Sequence, residues 1–127
     1  MTTAYVGGIK MLLEVLQNYR SDTPNPIELL VGDTVQIGEE SEPNGAYPNW
    51  VFCISNRNNQ KGWVPMHILT MKNRIGVAKE DYTSKEMAVM SRDVVDTIYE
   101  LNGWYWCKRQ SDSEMGWVAK DNLKALL

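Results

Sequence analysis

The sequence predicts an all-β protein made of two small five-stranded barrels in tandem, and three observations carry that prediction. The first is a duplication: Trp50 and Trp104, Cys53 and Cys107, Gly62 and Gly116, and Leu69 and Leu123 are each 54 positions apart. A register held over about twenty residues marks a repeat. The second is period-two alternation of apolar and polar residues, as in Val35 and Ile37 between Thr34, Gln36 and their neighbours. The third is spacing, since turn signals recur roughly every eight to twelve residues, the rhythm of a small barrel or sandwich.

Residues 1–11 have no counterpart in the second copy and form an N-terminal extension; Ala4-Tyr5-Val6 suits either an extra strand or a tail, and Met11 would serve as an alternative start. Met11–Tyr19 suits a helix on propensity alone. The proline-rich turn that follows, through Pro24 and Pro26, and the alternation of Ile27, Leu29 and Val31 favour strands. Gly32-Asp33 marks a turn before the strand at Val35 and Ile37. The acidic loop Glu39–Asn49 leads into Trp50–Ser55, which pairs as a hairpin with Gly62–Val64 across the polar tip Asn56–Lys61. Thr70–Ile75 contains no glycine or proline and is expected to be a linker; extended, six residues reach about 20 Å, so the copies lie close in the chain. The second copy repeats the pattern from Ala78 to Leu123, with Arg92 where the first has Gly32.

Four stretches in this order resemble one family. Val15-Leu16-Gln17-Asn18-Tyr19 resembles the ALYDY motif of Src-homology-3 (SH3) domains, and Pro26–Asp33 resembles ELSFKKGD. Trp50–Ile54 resembles the tryptophan strand, and Gly62–Leu69 the GYIPSNYV ending. The second copy matches through Ala78–Tyr82, Glu86–Asp93, Trp104 and Gly116–Leu123. The resemblance implies a tandem SH3-like protein of bacterial type: an extension 1–11, a domain 12–69, a linker 70–75 and a second domain 76–127.

It also implies a function. An aromatic groove in SH3 domains receives an extended proline-rich peptide that loses little entropy on binding. Carried over residue by residue, Tyr19, Trp50 and Pro65 are groove positions, with Asp22 and Glu28 as the acidic selectors of a basic ligand side chain. Gln17 and Ile68 stand where the family has tyrosines. Tyr82 and Trp104 mark a possible second groove, in which Glu80, Ala119 and Asn122 replace tyrosine, proline and tyrosine. Trp63 and Trp117 are expected to pack across strands. The competing reading is a structural tandem whose grooves pack on each other and which acts by self-association or through its outer surface. A cell-wall-binding module is a third, disfavoured because the chain shows no secretory signal and no attached hydrolase.

Composition bounds the rest. The net charge is −3, with three basic and seven acidic side chains in residues 12–69 against nine and nine in 70–127. This provides no footprint for a phosphate backbone, so nucleic acid is not expected, and it points to a basic protein or peptide partner for the first half. No stretch of 18 apolar residues exists to cross a membrane. Two cysteines, one per copy, read as reduced and buried thiols, which with the missing signal implies a cytoplasmic protein. One histidine, no glycine-rich phosphate loop and no metal-ligand spacing leave no basis for an enzyme, a cofactor or a metal.

Overall fold

The computed structural model describes residues 11–22 and 25–126; the extension, with its possible strand at Ala4-Tyr5-Val6, lies almost wholly outside them. Among the described residues twelve strands run in order: β1 (Leu12–Val15), β2 (Glu28–Leu29), β3 (Thr34–Glu40), β4 (Trp50–Ser55), β5 (Lys61–Pro65), β6 (Leu69–Lys72), β7 (Ile75–Ala78), β8 (Tyr82–Thr83), β9 (Val94–Leu101), β10 (Trp104–Arg109), β11 (Met115–Ala119) and β12 (Leu123–Ala125). Short 3-10 turns at Met66–Ile68 and Lys120–Asn122 precede β6 and β12. Among the described residues there is no α-helix. The protein is all-β, as its alternation predicted, and Leu12–Val15 is a strand despite its helical propensity.

The chain forms two compact units that do not follow the repeat boundaries: residues 23–85 are continuous, whereas the other unit joins 1–22 to 86–127. The continuous unit holds a sheet of order β5-β4-β3-β7-β6 and the discontinuous unit a sheet of order β11-β10-β9-β1-β12. Each unit therefore contains the first strand of the other copy. Val15 donates to Asp93 O at 2.8 Å and Leu16 to Asn122 O at 2.9 Å, both in the second copy. The equivalent donors Ala78 and Lys79 reach Asp33 O at 2.9 Å and Ile68 O at 2.7 Å, both in the first.

The turn between β6 and β7 accounts for the exchange. The expected linker 70–75 is instead most of a hairpin, with Thr70 opposite Val77 and Lys72 opposite Ile75. Its two central residues, Asn73 and Arg74, have φ of 52° and 66°. Positive φ at both positions is the mark of the tight turn whose twist suits a two-residue hairpin. A turn that short leaves β7 no choice but to pair with β6. There it fills the slot between β6 and β3 that β1 would take in an unexchanged barrel, and β1 occupies the matching slot between β9 and β12.

Each unit has its own core. Ile27, Leu29, Val35, Val51, Cys53, Val64, Ile68 and Leu69 pack with Ala78 in one. Met87, Val89, Val95, Tyr105, Cys107 and Val118 pack with Val15 in the other. The repeated glycines of β5 and β11 let a crossing segment approach. A Cβ on Gly62 would sit 2.8 Å from Ile27 Cγ2, and one on Gly116 would sit 2.8 Å from Met87 N. Cys53 and Cys107 are free, buried and in different units. Burial pushes both thiols up to about 12, with Asp96 adding to the effect at Cys107.

The turns before β3 and β9 are also alike. Asp33 Oδ2 accepts from Leu30 N at 3.0 Å and Asp93 Oδ2 from Met90 N at 2.9 Å. An arginine then holds each carboxylate, Arg57 on Asp33 at 3.0 Å and Arg109 on Asp93 at 3.2 Å. The Leu30 amide, followed by Arg57, lowers the Asp33 pKa below its ordinary value.

Candidate functional site

The strand exchange redistributes the residues expected to form a groove. Glu28, Trp50 and Pro65 lie in the continuous unit, and Tyr19 and Asp22 in the discontinuous one. The five are divided between the two units. Tyr82, assigned by sequence to a second groove with Trp104, instead joins Trp50 and Pro65; Trp104 shares its unit with Tyr19.

In the continuous unit, Tyr82 and Thr83 pair with Leu29 and Glu28 through β8 and β2. The half-buried Tyr82 donates its hydroxyl to Trp63 O at 2.9 Å. Trp50 stands opposite Pro65 across β4 and β5, its amide donating to Ser41 Oγ at 3.0 Å. Trp50 is only 6% exposed, Pro65 is buried and Ile68 is 2% exposed. These residues expected to line a groove are therefore buried, apart from the half-buried Tyr82.

The discontinuous unit is more open. Tyr19 is 43% exposed and donates its hydroxyl to Glu86 Oε1 at 2.5 Å. Its backbone exchanges two hydrogen bonds with Val89, at 2.8 and 2.9 Å, which fixes the ring's position on the loop. Trp104, half-buried, is opposite Ala119 across β10 and β11. Asn122 clasps the backbone of Gln17: its Oδ1 accepts from Gln17 N and its Nδ2 donates to Gln17 O, each at 3.0 Å. Lys120 donates to Glu100 at 2.9 Å and sits 5.9 Å from the centre of the Tyr105 ring. Glu100 raises the lysine's pKa.

Sequence reasoning missed two of these groups. In the sequence Glu86 is only the start of a strand motif, yet its carboxylate accepts from the Tyr19 hydroxyl. Asn122 was read as a lost tyrosine, yet its amide carries the donor and acceptor that complement a peptide unit. The exchange also changes the charge distribution: six basic and seven acidic side chains give the continuous unit −1, and seven and nine give the discontinuous unit −2. The contrast between an acidic and a neutral half is a property of the linear sequence, not of the units.

Among the described residues, no group of three or more His, Cys, Asp or Glu is placed to hold a metal ion. No helix among them is long and apolar enough to cross a membrane.

Residues 14–71 match the family model described as a variant SH3 domain. No curated protein and no solved structure matched the chain. The matched segment runs from β1 to β6 in the order of an SH3 domain. The continuous unit completes that SH3-like barrel with β7 in place of β1. SH3 domains are protein-interaction modules in general, and the all-β fold is consistent with an SH3-like domain here.

Proposed function

We propose that the protein is a non-enzymatic interaction module that binds an extended, basic, proline-containing peptide segment at the discontinuous unit, on a surface assembled from Tyr19 of one copy and Trp104 of the other. The single observation that carries this reading is the difference in exposure, with Tyr19 at 43% and Trp50 at 6%. An aromatic ring that is out of contact with solvent cannot present its face to a ligand, whereas Tyr19 can. Glu86, on the Tyr19 hydroxyl, and the exposed Asp22 supply negative charge beside it. Asn122, held on the Gln17 backbone, puts an amide where the family has a tyrosine, so the surface suits a peptide with polar side chains between its prolines. Exposed contacts of this kind contribute roughly 0.2–1 kcal/mol each, and affinity is expected to be modest and salt-sensitive.

The second reading is favoured by the burial of Trp50: the groove of the continuous unit is structural, and its aromatic residues serve stability. Titration of a labelled basic, proline-containing peptide separates the two. Trp104→Ala is expected to weaken binding about tenfold or more. Trp50→Phe is expected to leave affinity unchanged while lowering the melting temperature. Loss of binding in Trp50→Phe with binding intact in Trp104→Ala would return the site to the first copy's tryptophan.

A further inference from the structure

The outer face of the sheet in the continuous unit carries a row of directly paired residues across all five strands: Lys72, Ile75, Gln36, Ile54 and Lys61. Directly opposed residues project to the same side of a sheet, so these five share the solvent face. Beside the row lie Val77 and the Phe52–Trp63 pair, whose rings meet edge-on with centres 5.5 Å apart. Ile75 is 52% exposed, Trp63 40% and Val77 39%. Both ends of the row are cationic, and Arg74 adds a third cation at the hairpin tip. Among the described residues no ion pair involves Lys61, Lys72 or Arg74. The acids of this unit, Glu28, Asp33, Glu39, Glu40, Glu42, Glu80 and Asp81, all lie outside the row.

The same face of the discontinuous unit differs. The equivalent row is Leu12, Asp96, Lys108 and Met115, in which a carboxylate stands opposite the lysine. Asp96 also accepts from Gln110 at 2.7 Å, and Glu14 pairs with Lys124 at 3.5 Å. Trp117, the counterpart of Trp63, is 3% exposed and packs edge-on against Tyr99 and Trp106. One copy of the face is neutralised and has its tryptophan covered. The other leaves an apolar centre open between cations.

We infer that this outer sheet face of residues 23–85 is a docking surface for an acidic amphipathic segment of a partner protein, one with leucine-type side chains flanked by carboxylates. Exposed apolar area of this kind marks an interaction site when it is contiguous and rimmed by polar groups. The rim of uncompensated cations selects the sign of the partner. Nucleic acid is a poorer fit, because the apolar centre has no role against phosphates and the unit as a whole is −1. The inference is independent of the proposed groove, which lies in the other unit.

The test uses the whole 127-residue chain and an 18-residue amphipathic helical peptide of leucine and glutamate, followed by amide chemical shifts. The expected result is perturbation centred on Ile54, Lys61, Trp63, Lys72 and Ile75. Lys61→Glu and Lys72→Glu are expected to weaken binding about fivefold each. The double reversal should then bind the matching leucine–lysine peptide, a rescue that a damaged fold could not produce. Absence of shifts on this face, shifts centred on Tyr19 and Trp104 instead, or binding of a single-stranded oligonucleotide but not the acidic peptide would each overturn the inference.

Discussion

At the scale of single residues, the two copies provide paired experiments on the same backbone position. Gly32 and Arg92 close equivalent turns with φ of 92° and 77°. An L residue with a side chain is strained in that region by roughly 1–2 kcal/mol, and glycine is not. Arg92→Gly is therefore expected to stabilise the protein by up to about 1 kcal/mol, since the greater unfolded-state freedom of glycine offsets part of the relief. Gly32→Arg is expected to destabilise it by a similar amount. A Cβ at Gly32 would have nothing within 4 Å, so the cost there is conformational rather than steric. Urea midpoints moving in opposite directions for the two variants would bear this out. The cysteines give a pH prediction. Each thiol is raised from an ordinary 9.0 to about 12 by burial. Their contribution is fully present below pH 9 and is lost as pH rises through the window from 9 to about 12, by about 1.4 kcal/mol per pH unit per thiol. Denaturation at pH 8 and pH 11 should show a smaller alkaline loss in Cys53→Ala than in the parent, and an equal loss would contradict the burial.

At the scale of elements, much of the strand pattern was legible, because period-two alternation survives whichever barrel a strand joins. Val35 and Ile37, Trp50–Ser55 and Gly62–Val64 all read correctly from the chain. The partner of β1 did not. Leu13 and Val15 sit at the same two-residue spacing as Gly76 and Ala78, so alternation alone does not choose between the strands, although a Cβ at Gly76 would already meet Ile37 Cδ1 at 3.0 Å. The choice is made by Asn73-Arg74, a hairpin turn without glycine, which therefore looks like a linker. The groove was illegible for the same reason: residue-by-residue correspondence identified Tyr19 and Trp50, but assumed that neighbours in the motif remain neighbours in space. Engineered disulfides discriminate the two pairings. Leu13 is opposite Ala125 in the exchanged arrangement, and the corresponding pair in the continuous unit is Gly76 and Met71. Leu13→Cys with Ala125→Cys is expected to form a cross-link detectable by mass spectrometry of a digest. Leu13→Cys with Met71→Cys is expected to form none, and the reverse outcome would show that β1 stays with its own copy.

At the scale of the whole molecule, the exchange makes the two units unequal in how they depend on the chain. The continuous unit has every strand it needs between residues 23 and 85, whereas the discontinuous unit draws β1 from beyond an entire folded unit. Units of about sixty residues are marginal, with a stability on the order of 3–9 kcal/mol. In the sheet order β11-β10-β9-β1-β12, the strand β1 links β12 to β9. Removing it takes Leu13 and Val15 from the core, at roughly 1.5–3 kcal/mol each if fully buried, and opens the ladders on both sides. The loss is comparable to the whole stability of the unit. A fragment of residues 23–85 is therefore expected to give a dispersed amide spectrum and a cooperative melt on its own. A fragment of residues 86–127 is expected to be unfolded, and to gain a cooperative melt when a synthetic peptide of residues 11–22 is added in excess, because ligand bound only by the native state stabilises it by mass action. A cooperative transition in 86–127 alone would mean that β1 is dispensable and that the barrel closes without it.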